Sequence, residues 1–198
     1  MPKSPEQCEH VRSQMRDKIL RESILYFARN GFSGTRISDL AQYIGIGQGT
    51  IYVYFESKEM LFQEIHKMIN RDEDIEQIKL LASLPIPAKQ KIHTLTEHVL
   101  HQLNNDERFA AVMALNTQML LEQSDDNDSG ITTYQSTLYT HMAKIIAQGQ
   151  REGSVVEGSA IKLADYYWGV VYLYALKMLF TKKFEMISAQ DLERTILK

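Results

Sequence analysis

Between Gly31 and Phe62 the chain reads GFSGTRISDLAQYIGIGQGTIYVYFESKEMLF, and its polar residues are of the types that read nucleic acid. The amide of Gln48 can bond base edges and suits the donor–acceptor pair of adenine best. Thr50 offers a hydroxyl to phosphate or base and a methyl to thymine. Gly49 has no side chain, so the backbone there can come close to a groove. The phenol hydroxyls of Tyr52 and Tyr54 can reach phosphate, as can Lys58 at the start of the following helix. Thr35 precedes a short helix, where a hydroxyl and free backbone amides can grip phosphate, and Arg36 and Ser38 beside it complete the candidate set.

Other chemistries find less support. The chain holds no phosphate-binding Gly-rich loop, no Gly-x-Ser-x-Gly and no His-Glu-x-x-His, so no enzyme activity and no cofactor are expected. Cys8 is the single cysteine, which fits a reducing cytoplasm, and its N-terminal place makes it a poor nucleophile. His93, Glu97, His98 and His101 share one helix with metal-like spacing, yet helical angles put the two pairs on different faces. The run from Asp125 to Gly130 opens like a calcium loop, but its twelfth position is Ser136 where a bidentate Glu is needed. A solvated surface and a solvated loop are the simpler readings, and no metal is expected. No secretory h-region is present, and the most apolar run, Tyr166–Leu176, is too short to span a bilayer and is bounded by Asp165 and Lys177. A cytoplasmic protein without membrane attachment is the expectation.

The elements that position these residues are helical. With 44% hydrophobic and 24% charged residues, 198 residues suffice for a sizeable core. Apolar residues recur at three and four throughout, and only 4 prolines interrupt them. The first helix runs from about Gln7 to Asn30 and stops at Gly31. Two brief helices, about Ile37–Ile44 and Gln48–Phe55, are joined by a turn holding Gly45 and Gly47. Such helices are too short to stand alone and need neighbours. A short pair with glycine in the turn and Ala41 where they cross suits a helix-turn-helix whose second helix enters the major groove. Ser57 caps a long helix running to about Leu81. Helices follow at about 88–103, 107–122, 131–151, 160–180 and 188–197. Charge is uneven: residues 1–71 carry 10 Lys and Arg against 8 Asp and Glu, and the remainder 12 against 17, so the N-terminal part is the one to face phosphate.

The segment from about residue 16 to 62 resembles the tetracycline-repressor-like (TetR) family of bacterial transcription regulators. The residues that carry the resemblance are Ile19-Leu20, Phe27, Gly31-Phe32, Thr35, Leu40-Ala41, Gly45-Ile46, Gly49-Thr50-Ile51-Tyr52, Tyr54-Phe55, Lys58-Glu59 and Leu61. Two positions depart from the family's habit. Glu22-Ser23 stands where two small residues are common, and Gly47 stands where a Ser usually caps the recognition helix. The resemblance implies an all-helical fold, with a DNA-binding domain over 1–56 and a ligand-binding and dimerisation domain over 57–198. It implies a ligand-responsive regulator, a repressor in the first instance, that binds a palindromic operator in double-stranded DNA as a homodimer.

In the larger domain the resemblance extends only to layout. Apolar residues point all round the helix at 163–180, which calls for burial on every side. A partner subunit would supply one of those sides, through Trp168, Val171, Tyr172, Ala175 and Leu179. Phe109, Met113, Asn116, Leu120, Tyr139 and Met142 are the candidate lining of a pocket for a small, largely apolar effector. Asn116 is the polar member, set among apolar residues and in need of a partner. The alternative from another class is a helical ligand-binding or scaffolding protein without DNA readout.

Overall fold

The computed structural model describes residues 5–69, 73–123 and 137–198, and they are helical throughout save for connections and one isolated antiparallel bridge between Val155 and Leu197. The all-α expectation is met. The chain divides into two compact units, Met1–Ile69 and Asn70–Lys198.

The first unit is built on α1 (Pro5–Asn30). Its Ile19, Leu20, Ile24 and Phe27 are buried, and Gly31 ends it with φ 70°. The short α2 (Ile37–Ile44) and α3 (Gln48–Tyr54) follow, then α4 (Lys58–Ile69). Gly45 closes α2 in the left-handed region at φ 76°, where its amide and that of Ile46 take up the carbonyls of Gln42 and Ala41. Lys18 adds a side-chain cap, its ammonium reaching the carbonyl of Ile44 at 3.1 Å. Leu40, Ile44 and Ile51 are inward, each worth about 1.5–3 kcal/mol on full burial. Ser57 caps α4 through its hydroxyl, which accepts from the amide of Met60 at 3.1 Å. Across the unit Arg16 meets Glu64 at 2.8 Å, and Phe27, Phe32 and Phe62 form one aromatic cluster.

The first unit takes in α4 together with α1, α2 and α3, whereas the sequence suggests a boundary at 56/57 because Ser57 opens a helix. The middle of the long helix expected over 57–81 falls at residues 70–72, outside the described residues.

The second unit comprises α5 (Glu73–Ser83), α6 (Ala88–Asn105), α7 (Glu107–Gln123), α8 (Thr137–Arg151), α9 (Ala160–Phe180) and α10 (Ala189–Glu193). The loop with the calcium-like start lies outside the described residues. The last helix is shorter than its pattern suggests, because the chain after it pairs with the 154–156 segment. Val156 donates to the carbonyl of Ile196 at 2.9 Å, and Lys198 to that of Ser154 at 3.1 Å. Ser159 stands at the N-cap of α9, but its hydroxyl makes no capping bond. At the centre, Tyr167 is fully buried with its phenol 3.0 Å from the Thr96 hydroxyl. Burial pushes the phenol well above its ordinary pKa, so it stays neutral.

One polar clamp fixes the start of α6 against the end of α8. Lys91 is 2% exposed, and its ammonium donates to the carbonyl of Ala82 and to Gln148 Oε1, both at 2.8 Å. Gln148 in turn donates to the carbonyl of Ile86 and to Glu152. Glu152 accepts from the amide of Ala88 at 2.8 Å, and so caps a helix whose own N-cap, Pro87, has no side chain able to do so. Gly149 lies at this crossing, and a Cβ there would collide with the Val155 side chain.

The bond from Gln148 and then that from the Ala88 amide hold the Glu152 carboxyl below its ordinary pKa. A depressed folded pKa means that its stabilisation is complete above the ordinary value and is lost as pH falls through the folded one. Glu152→Gln is therefore expected to lower Tm at pH 7, with the gap to the parent closing below about pH 4. Calorimetric scans of both proteins across pH check this. An equal gap at every pH would assign the loss to packing and not to charge.

Candidate nucleic-acid interface and internal cavity

The interface follows from which side of α3 is left over after packing. Ile51 is fully buried and Phe55 nearly so, and they pin α3 to the rest of its unit. Gln48, Gly49, Tyr52 and Val53 then point outward, with Thr50 and Tyr54 half-buried at the flanks. No atom stands within 4 Å of a Cβ placed on Gly49, so internal packing does not call for glycine there. Val53 is 66% exposed and is absent from the candidates named on sequence, where a β-branched residue reads as core. It has the shape and polarity to meet a thymine methyl. Tyr43 is also outward, 44% exposed, with its ring against Tyr26 at 5.2 Å. Arg36 and Ser38 are exposed at the start of α2, although the Ser38 hydroxyl is bonded to Asp39 at 3.0 Å.

Two sequence candidates turn inward. Thr35 is buried, and its hydroxyl donates to the carbonyl of Gly31 at 2.7 Å, closing the bend between α1 and α2. Lys58 donates to the carbonyls of Phe32 and Thr35 at 2.9 and 3.1 Å and lies over the Phe32 ring at 4.3 Å. The Phe32 carbonyl also accepts from the amide of Thr35 at 3.2 Å, and the Lys58 ammonium ties it to the carbonyl of Thr35. Both polar groups are engaged inside their own unit.

In the second unit a cavity of about 260 Å³ opens among α5, α6, α7, α8 and α9. Phe109 and Met113 line it together with Ile78, Leu95 and Trp168, while Gln77, Thr94 and His98 are its polar members. The other candidates sort differently. Asn116 and Tyr139 line a smaller neighbouring void. Met142 is wholly buried and lines neither, because the inner face of α8 is packed as core. The side chain of Leu120 lies outside the described residues. His141, on α8, has an Nδ1 without a partner, and burial, then Lys144 and Lys79, lower its pKa.

The α9 residues expected at a dimer interface sort by burial. Trp168, Val171, Ala175 and Leu179 are buried within their own chain, against the cavity and core, and Tyr172 is half-buried. The face left open carries Tyr166, Gly169, Leu173 and Phe180, at helical spacing and 49–58% exposed for the three large residues. An all-round apolar pattern does not say which face its own chain covers. The His93–Glu193 contact, 2.8 Å, ties α6 to α10, and no group of three metal-ligating side chains occurs among the described residues. No helix among them is long and apolar enough to cross a membrane.

The family of bacterial regulatory proteins called tetR matches residues 19–65, which span the helix-turn-helix and most of α4. The chain is 29% identical over 153 residues to the fatty acid metabolism regulator protein of Bacillus subtilis (strain 168), covering 74% of each. It is 32% identical over 50 residues to the biofilm operon icaADBC negative transcriptional regulator IcaR of Staphylococcus aureus (strain Newman), 25% of this chain and 27% of that one. Among solved structures it is similar to a TetR-family transcriptional regulator from Agrobacterium tumefaciens, with TM-score 0.68 at 18% identity over 92% of this chain and 97% of the other. It is also similar to SmeT, the repressor of the Stenotrophomonas maltophilia multidrug efflux pump SmeDEF, with TM-score 0.63 at 15% identity over 92% and 90%. At such identities the structural likeness carries the fold.

Two substitutions separate binding from folding at the interface. Gly49→Ala should leave Tm unchanged or raise it, since alanine gains about 0.8–1 kcal/mol over glycine in a helix. The added methyl should weaken DNA binding by holding the backbone off the groove, as titration by fluorescence anisotropy would report. Arg36→Ala should weaken DNA binding and flatten its salt dependence at unchanged Tm. Lys58→Ala should lower Tm, because it removes the donor that joins the carbonyls of Phe32 and Thr35. A Lys58→Ala protein as stable as its parent would restore that lysine to the phosphate-facing set.

Proposed function

From the premise that this chain belongs to the tetR family of bacterial regulatory proteins and is a DNA-binding transcription regulator, we propose that it is a homodimeric repressor that an apolar effector releases from a palindromic operator. The observation that carries the reading is the outward face of α3. Four neighbouring positions, Gln48, Gly49, Tyr52 and Val53, offer an amide, a bare backbone, a phenol and a methyl pair to one groove. Phosphate contacts from Arg36 and the free amides at the start of α2 position the helix, and the α3 side chains read the bases.

Dimerisation uses the open stripe of α9. Tyr166, Leu173 and Phe180 are large apolar groups in solvent, and Gly169 between them lets a second helix approach closely. A two-fold axis through this face sets two recognition helices against successive major grooves, about 34–36 Å apart, and so requires inverted half-sites. The effector site is the 260 Å³ cavity of the second unit. Its lining of Ile, Leu, Val, Phe and Met suits an acyl chain, in line with the name of the Bacillus relative. The cavity wall includes α5, which follows α4 in the chain, so effector and operator are coupled reciprocally, each lowering affinity for the other.

Selection of bound duplexes from a randomised library at physiological salt tests the operator. Enrichment of an inverted repeat with half-sites one turn apart is expected, and enrichment of an unpaired half-site would remove the dimer. Leu173→Glu tests the stripe. It should yield a folded monomer by sedimentation and lose most operator affinity, whereas a dimer of unchanged strength would place the interface elsewhere.

A further inference from the structure

The outer face of α3 has an apolar centre. Ile51 is wholly buried and marks the inner side of this seven-residue helix. At about 100° per residue, Gly49 and Val53, two places before and two places after it, fall within about 20° of the point straight opposite. They are also one turn apart, and so are neighbours on that face. Gln48 and Tyr52 flank them on one side and Thr50 on the other.

The packing of the helix calls for neither residue. Val53 is 66% exposed, more than any other large apolar side chain among the described residues. A β-branched residue is also a poorer helix former than alanine, so a two-turn helix does not gain from it. Gly49 does not have a positive φ, and a Cβ there would stand in open space. A lone exposed valine is ordinary on a protein surface. A valine beside bare backbone, at the middle of a face flanked by an amide and a phenol, is a shallow notch with one apolar wall.

The chemistry of the major groove says what fits it. Guanine, adenine and cytosine present hydrogen-bonding groups there, and thymine adds a 5-methyl. The Val53 side chain has no donor or acceptor, so it cannot read the first three by hydrogen bonds. Against a phosphate it would displace water and return nothing. The thymine methyl is the group that gains from meeting it, and the missing side chain at Gly49 gives that methyl room to approach the helix.

We propose that Val53 and the bare backbone of Gly49 form a notch that receives the 5-methyl of one thymine in each half-site. The inference rests on the reading of the outer face of α3 as the base-reading surface. It assigns Val53 as a residue that determines sequence specificity through shape and apolar contact, beside the hydrogen-bonding Gln48.

The test uses the full chain and the duplex it selects from a randomised library, with affinity read by fluorescence anisotropy at physiological salt. Each thymine of one half-site is replaced in turn by deoxyuridine, which removes the methyl and keeps every hydrogen-bonding group. At one position the replacement should weaken binding about fourfold, the effect of one buried methyl group. Val53→Ala should bind the unmodified duplex more weakly by a similar factor and should no longer tell thymine from uracil at that position. Its Tm should be no lower, since the site is exposed and alanine is the better helix former. The notch would be overturned if no thymine were sensitive to the replacement, or if the sensitivity were unchanged in Val53→Ala. Gln48→Ala keeps that failure apart from failure of the reading beneath it. If its preferred sequence shifts while Val53→Ala changes nothing, the α3 face still reads bases and the notch alone is lost. If neither variant alters affinity or preference, or no sequence is enriched at all, both are lost.

Discussion

Two helices of about two turns cannot hold themselves together, and the DNA-reading half of this protein is organised around that limit. Nucleating a helix costs more than two turns of hydrogen bonds return, so α2 and α3 persist only while neighbours hold them. Three devices do so. Leu40, Ile44 and Ile51 bury the inner face, Gly45 turns the chain at no steric cost, and Lys18 covers the carbonyl left at the end of α2. Lys58 and Thr35 do the same for the bend before α2. Gln48, Gly49, Tyr52 and Val53 are then left facing outward, as a surface that must fit a groove requires.

This division explains what could be read from the sequence. The helix-turn-helix was legible because its constraints are local. Glycine at a left-handed turn, a small residue at a crossing and apolar positions three and four apart each leave a mark in the chain. The direction of polar side chains was not legible in the same way. A lysine next to a helix start can reach out to phosphate or back to two carbonyls, and only the shape of the bend decides. Val53 was missed for the opposite reason, since apolar type argues for burial, and burial on a seven-residue helix is settled by the neighbours of Ile51 and Phe55.

The second unit was legible as helices but not as faces. Residues 163–180 are apolar all round, and no periodicity distinguishes the side that its own chain covers from the side left open. Packing decides this: α7 and α8 take Trp168, Val171 and Ala175, and leave Tyr166 and Leu173 outside. The cavity was legible in part. Phe109 and Met113 line it, while Met142 belongs to solid core, because a cavity is a failure of helices to meet and depends on how far apart they sit. The clamp of Lys91, Gln148 and Glu152 left no motif at all, since its members are brought together by the crossing of α6 and α8.

On the function proposed above, the single helix α9 carries two unrelated tasks back to back. Trp168 and Val171 look into the cavities, and Tyr166, Gly169 and Leu173 look away from them. Because side chains on opposite faces of a helix do not touch, substitutions on one side leave the other's packing nearly undisturbed. Preference for a small molecule and choice of what docks on the outer stripe can therefore drift independently within one 21-residue segment. Duplicated copies of such a chain could come to answer different molecules while still exchanging subunits, or stop exchanging subunits while answering the same molecule.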